Sequence, residues 1–364
     1  MKKFIVGVMA ISALFVCSWT QAAELRDDHP EFHIVQPGDT LWDISEAFLK
    51  SPWLWPEIWH VNEQVDNPHL IFPGDVLALV YIDGQPRITK TNRLPNGTVK
   101  LSPQVRELSR GQAITTIPLD AILPFLVSAR VVSEEELQHA PYVVAGDEGR
   151  LANAADNKVY VRGIIEPEVS KFAFYRRGET YIDPDTGEEL GVEALHLGAG
   201  VKIRSGDPST IRIEDSVAEV LRGDRIWPTN DEQLRPYYFP HAPTSEVDAT
   251  IISVYDGVIQ IGQYDVVVIN RGERDGIEVG HVLTVHQRGK QVEDPYAKDN
   301  KNVNEDGSVK RFFKALVNSK DTVTLPDEEA GTMMIFRTFD KVSLGLVLKA
   351  QRPLHVMDKA KTPY

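Results

Sequence analysis

The chain has 364 residues, 42% of them hydrophobic, with 25 glycines and 23 prolines, which allows two or three turn-rich domains with buried cores. Its formal charge of −14 argues against a surface built for nucleic acid or anionic lipid headgroups. Cys17 is its only cysteine, which excludes internal disulfides and multi-thiolate metal sites.

Residues 1–23 are ordered as a secretory signal peptide. Lys2 and Lys3 precede an apolar run from Phe4 to Trp19, and Thr20-Gln21-Ala22-Ala23 leads into polar Glu24-Leu25-Arg26-Asp27-Asp28. Cleavage is expected after Ala22 or Ala23, with retention as an anchor the alternative. Lipid modification of Cys17 is disfavoured by Val16 before it and by Ser18 and Trp19 after it. Cleavage would remove the only thiol, and with it any cysteine-dependent peptidase or transpeptidase chemistry. The expectation is a periplasmic or cell-envelope protein with no membrane span after cleavage, since no second segment approaches about 20 apolar residues.

Residues 32–81 carry the sharpest pattern. Phe32-His33-Ile34-Val35 alternates as a short strand. Gln36-Pro37-Gly38-Asp39-Thr40 is a turn in which Asp39 or Thr40 caps a following helix; Asp39 reads as a cap before it reads as a ligand contact. Leu41, Ile44, Ala47 and Phe48 give that helix one apolar face. A second helix is predicted after Ser51-Pro52, through Pro56-Glu57-Ile58-Trp59 and ending at Asn67-Pro68. Ile71-Phe72-Pro73-Gly74-Asp75 is another turn, and Val76 to Val80 a closing strand.

Strand, helix, helix, strand, with Pro-Gly-Asp-Thr-Leu early and Pro-Gly-Asp-Val-Leu late around Asn62 and Asn67, resembles the LysM family. The resemblance covers about one seventh of the chain. It implies a ligand, the N-acetylglucosamine glycan of peptidoglycan or chitin, in a shallow groove. One wall would be Gly38, Asp39, Thr40 and Leu41, and the other Asn67, Pro68, Leu70, Ile71 and Phe72. Leu41 also suits the core, while Thr40, Ile71 and Phe72 point most directly to the groove. Seven acids against Lys50 alone in residues 32–81 make the expected recognition uncharged. Trp53, Trp55 and Trp59, with Trp42 near by, either stack on sugar faces or enlarge the core and dock the module on its neighbour. The second use is the more ordinary one.

Residues 83–117 read as a linker, with turns at Asp83-Gly84, Asn96-Gly97 and Ser102-Pro103 and a strand start at Ile114–Ile117. Pro118 to Pro124 suggests one helical turn, and Ser133-Glu134-Glu135-Glu136 a capped helix. Short strands follow, among them Val159–Val161, Phe172–Tyr175, Ile211–Ile213, Thr250–Ile252 and Val266–Ile269. Phe172-Ala173-Phe174, Arg177-Gly178 and Asp183-Pro184 recur 111 positions on as Leu283-Thr284-Val285, Arg288-Gly289 and Asp294-Pro295. This spacing predicts two β-rich domains of similar fold, 118–230 and 246–358, the second carrying a polar, mobile insertion at 296–321. The whole is an α+β chain: a small βααβ module followed by mainly-β tandem domains.

No His-Glu-x-x-His, His-x-His or Gly-x-Ser-x-Gly pattern occurs. The expected function is therefore non-catalytic glycan binding, with no cofactor or metal, and with the β domains as spacer or docking surface for other envelope proteins. The alternative is a peptidoglycan hydrolase, or an activator of one, with its site in the β domains.

Overall fold

The computed structural model describes residues 23–59, 71–91, 114–165, 168–229, 238–255, 260–293 and 322–363. Strand β1 (Phe32–Ile34) is followed by α1 (Leu41–Phe48), a 3-10 turn at Pro52–Leu54 and α2 (Trp55–Ile58). Thr40 caps α1 by accepting from the Asp43 amide, and Asp43 answers by accepting from the Thr40 amide, so two end donors are satisfied together. Strands β2 (Val76–Ile82) and β3 (Gln85–Thr91) complete a sheet in the order β1-β2-β3. The third strand corrects the linker expectation for residues 85–91. Asp83 and Gly84 both have positive φ, the two-residue hairpin turn that matches strand twist, and the chain folds straight back along β2. Val35, Leu41, Ile44, Phe48, Trp55, Ile71, Leu77 and Ile88 form this module's core.

Helix α3 (Leu119–Ser128) is longer than the single turn expected. It continues past residue 124 because Leu119, Ala121, Ile122, Phe125 and Leu126 give it an apolar side to bury. Strand β4 (Arg130–Val132) and helix α4 (Glu134–His139) lead to the first large sheet, α4 being capped by Ser133 as expected. That sheet contains β5 (Tyr142–Gly146), β7 (Lys158–Arg162), β8 (Lys171–Ile182), β9 (Glu189–Arg204), β10 (Ser209–Ser216) and β12 (Arg225–Pro228). It closes on itself in the order β5-β7-β10-β9-β8-β12, while short β6 (Ala152–Asn153) pairs with β11 (Val220–Leu221).

The second sheet is a closed barrel of β13 (Asp248–Val254), β15 (Val266–Ile269), β16 (Val282–Gln287), β19 (Glu328–Thr338), β20 (Ser343–Ala350) and β22 (Lys359–Lys361). Its order, β13-β15-β20-β19-β16-β22, matches the first strand for strand, and β14 (Gln260–Ile261) pairs with β21 (Leu354–His355) as β6 does with β11. Strands β8 and β16 start 111 positions apart. A further pairing, β17 (Gln291–Glu293) with β18 (Thr322–Thr324), borders residues 294–321, so the expected insertion 296–321 lies outside the described residues.

Two boundaries shift. The barrel needs β22, which pairs with both β13 and β16, so this unit runs to Lys361 and not to 358. Helix α3, assigned by sequence to the first β domain, packs instead in a cluster dominated by the second barrel.

That cluster explains the apolar runs. Along β15, Val267 and Ile269 point into the barrel while Val266 and Val268 point outward. Leu344, Leu346 and Leu348 of β20 and Met334 and Phe336 of β19 also point outward. Both faces of these strands are buried, so they read as continuous hydrophobics rather than alternating ones. The outer layer receives Trp42 and Trp53 from the N-terminal module, Ile117 and Ile122 with α3, and Tyr181 and Leu190 from the first β unit. The second barrel is the hub on which the other parts are packed.

Candidate functional site

The N-terminal module holds two Pro-Gly-Asp turns side by side. Gly38 and Gly74 take φ values of 97° and 96°, a left-handed conformation that costs glycine little. In each turn the Asp carboxylate accepts the amide three residues back, Asp39 from Gln36 at 2.9 Å and Asp75 from Phe72 at 2.9 Å. Val35 ties the turns together by donating to the Asp75 carbonyl (2.9 Å) and accepting from the Gly74 amide (2.8 Å). The β1–α1 turn and the segment entering β2 are thereby held side by side, where the family resemblance puts the two walls of the groove.

The structure places the predicted wall residues unequally. Gly38, Asp39, Thr40 and Leu41 lie on one side, and Ile71 and Phe72 on the other; Asn67, Pro68 and Leu70 lie outside the described residues. Asp39 is not the helix cap. It closes the turn and meets His33 Nε2 at 2.8 Å, while Thr40 caps the helix. Thr40 and Ile71, expected to face the groove, are buried. The Thr40 hydroxyl is held by the Asp43 carboxylate (2.7 Å), and Ile71 belongs to the module's core with Leu41.

A segment of the chain outside the module accounts for that burial. Ile114 donates its amide to the Ile71 carbonyl at 2.8 Å, and the Thr115 and Thr116 carbonyls accept from the Leu41 and Trp42 amides at 2.9 and 3.1 Å. Residues 114–116 thus lie between the two walls, bonded to both. Sequence reading placed a strand start here but could not see its partners, which are more than 40 residues away.

The tryptophans divide between two duties. Trp55 fills the module's core with Trp59 packed edge-on against it, ring centroids 6.2 Å apart. Trp42 and Trp53 join the hub's outer layer. They also border an open cleft of about 620 Å³ between module and barrel, with the Glu46–Lys349 ion pair, His286 and Thr332 around it.

A histidine group is not legible in the sequence because residues 241 and 281, far apart along the chain, are brought together by a parallel bridge that also packs their rings edge to face. His241, Glu278 and His281 bring ligand-type atoms within 4.8 Å of one another. The His281 Nδ1 accepts the Glu278 amide at 3.1 Å, so its Nε2 carries the proton and has no lone pair for an ion while that bond stands. In the first β unit, burial and the neighbouring Glu179 raise the Glu193 carboxyl above the ordinary range, with Tyr181 beside it.

Comparison with known proteins agrees with the module's architecture. The LysM domain model matches residues 33–79, so the chain carries a LysM domain, a module type that generally binds N-acetylglucosamine glycans of peptidoglycan or chitin. No curated protein matches the chain. Among the described residues no helix is long and apolar enough to cross a membrane.

Proposed function

We propose that this is an exported, non-catalytic cell-envelope protein that binds the N-acetylglucosamine glycan of peptidoglycan through its LysM domain. The two β units, which we read as copies of one fold, hold that module and offer docking surface to other envelope proteins. The observation that carries the reading is the LysM match at residues 33–79, which spans both Pro-Gly-Asp turns and the groove expected between them. Within the cleft the Leu41 amide and the Ile71 carbonyl face a common occupant. An acetamido group offers the complement, one carbonyl acceptor and one N–H donor, and needs no charge. Net charge supports the same chemistry, since an acidic chain gains nothing by Coulomb attraction to an acidic polymer.

Sedimentation with purified peptidoglycan tests the proposal. The full chain is expected to pellet with the sacculi, at low and high salt alike, and to release no soluble muropeptide. Release of fragments would favour the hydrolase alternative, and a chain left wholly in the supernatant while its Leu41 and Trp42 amides exchange freely would remove the glycan reading.

A further inference from the structure

The cleft expected between the two turns is occupied by the chain itself. Residues 114–117 lie outside the matched module, yet they use its recognition groups: the Ile114 amide takes the Ile71 carbonyl, and the Thr115 carbonyl takes the Leu41 amide. These are the one donor and one acceptor that an acetamido group would present. Ile114 adds its side chain to the module's core, which keeps Ile71 and Thr40 away from solvent. No glycan can reach those two backbone groups while the segment is seated.

We propose that residues 114–117 are a built-in plug of the LysM cleft, displaced when glycan binds, so that the module's affinity is set by how often the plug is out. The inference rests on the glycan reading above. Two features suit a plug rather than a permanent core strand. The segment makes no regular ladder with the module's sheet, and its backbone bonds to the module go to Ile71 and to the first two residues of α1. The Thr116 hydroxyl is buried with no partner, a cost of seating that favours release. Its far end is tied elsewhere: Ile117 lies in the hub's outer layer, and Arg337 of β19 holds the Phe125 and Leu126 carbonyls near the end of α3 at 3.1 and 2.7 Å. Movement at the second barrel would therefore bear directly on whether the cleft is open.

The test uses the full chain and its Ile114→Pro variant, which removes both the amide that holds the Ile71 carbonyl and the Ile114 side chain from the module's core while changing no residue of the matched module. Thr115→Gly is the second variant, since it only loosens the segment and loses the Thr115 hydroxyl bond to the Ile117 carbonyl. N-acetylglucosamine pentamer is titrated by calorimetry, and hydrogen exchange is followed at the Leu41 and Trp42 amides. An apparent affinity is the intrinsic one reduced by the open fraction. In Thr115→Gly, loss of one hydrogen bond from the seated state should tighten pentamer binding roughly two- to tenfold, and Ile114→Pro, which also gives up a buried side chain, should tighten it at least as much. Exchange at Leu41 and Trp42 should speed up in the free variant by a similar factor. Equal affinities for wild type and variants, with those amides exposed in the variants, would overturn the plug and leave the glycan reading standing. Failure of every form to bind, with the cleft shown open by exchange, would instead overturn the glycan reading and the plug's role with it.

Discussion

One residue-scale device recurs through the molecule. In seven described turns the third residue has positive φ, and the side chain of the fourth accepts the amide of the first: Gln36–Asp39, Phe72–Asp75, Ala154–Asn157, Leu221–Asp224, Gly262–Asp265, Glu278–His281 and His355–Asp358. The side-chain acceptor mimics a backbone carbonyl and fixes the turn without a long loop. The third residue is Gly in four of the seven, but Asp156, Tyr264 and Met357 hold the same conformation. Glu278–His281 is the one whose acceptor is an imidazole. Burial, and the imidazole of His241 beside it, hold the His281 pKa below its ordinary value of 6.5. Folding therefore favours the neutral ring. That stabilisation is complete above the unfolded value of 6.5 and is lost as pH falls through the lower folded value. His196, also lowered by burial, acts in the same direction. The urea midpoint should fall between pH 7.5 and 5. In His281→Asn the fall should be smaller, because Asn accepts the Glu278 amide as Asn157 accepts that of Ala154 but does not titrate. An undiminished fall in that variant would show that this ring is not the group responsible.

At the scale of elements, the long β8–β9 hairpin reaches from its own barrel to the hub. Its turn carries Asp183, buried, whose carboxylate accepts the amides of Asp185 (2.8 Å) and Thr186 (3.2 Å) with one oxygen. The other oxygen takes the Asn270 side-chain amide at 3.1 Å, with Arg271 at 3.4 Å. Burial alone would raise this carboxyl, but those donors outweigh it and hold the pKa below the ordinary carboxylate range. Glu188, bonded by Arg274 and Lys341 of the second unit, is pulled down to about 2. Asp183→Ala strands the buried Asn270 amide and loosens the turn, and should lower stability by about 1–3 kcal/mol, read from the denaturant midpoint at constant slope. A change within about 0.5 kcal/mol would mean that the hairpin is held by its other contacts, the packing of Tyr181 and Leu190 and the Glu188 pairs with Arg274 and Lys341. Asp183-Pro184-Asp185 carries its turn chemistry in adjacent residues, so the turn itself is legible locally. The sequence could not show that the turn is an interdomain clasp, since Asn270 and Arg271 lie nearly ninety positions on. The same division holds for the LysM cleft. Its turns, its capped helix and its closing strand were legible from adjacent residues; the occupant at 114–116 was not, because an extended strap bonded to two turns leaves no periodic pattern.

On the scale of the whole molecule, the second barrel organises everything else through its outward face. That role was hidden in Val266-Val267-Val268-Ile269, whose lack of alternation is the mark of a strand buried on both sides. The module reaches this face with Trp42 and Trp53, and Lys349 of β20 adds an ion pair to Glu46 of α1. The indole N–H groups of both tryptophans are buried without a partner, so docking depends on ring volume and shape and not on hydrogen bonding. Trp53 separates the two contributions. Replacement by Phe keeps most of the apolar volume and removes an unsatisfied donor, so stability should stay within about 1.5 kcal/mol of wild type. Replacement by Ala leaves a cavity at the joint and should cost about 3–5 kcal/mol. Because the lost contacts lie between module and barrel, the Ala variant should unfold in two steps, with exchange protection in α1 lost before that in β15 and β20. The plug makes a further outcome follow from the same variant. A module released from the hub no longer shares one rigid frame with Ile117 and α3, so the cleft amides of Leu41 and Trp42 should exchange faster even at temperatures where α1 is still folded. Calorimetry paired with residue-resolved exchange reads both effects. A single transition with unchanged protection at those two amides would mean that the module holds its place and its plug without the tryptophan joint.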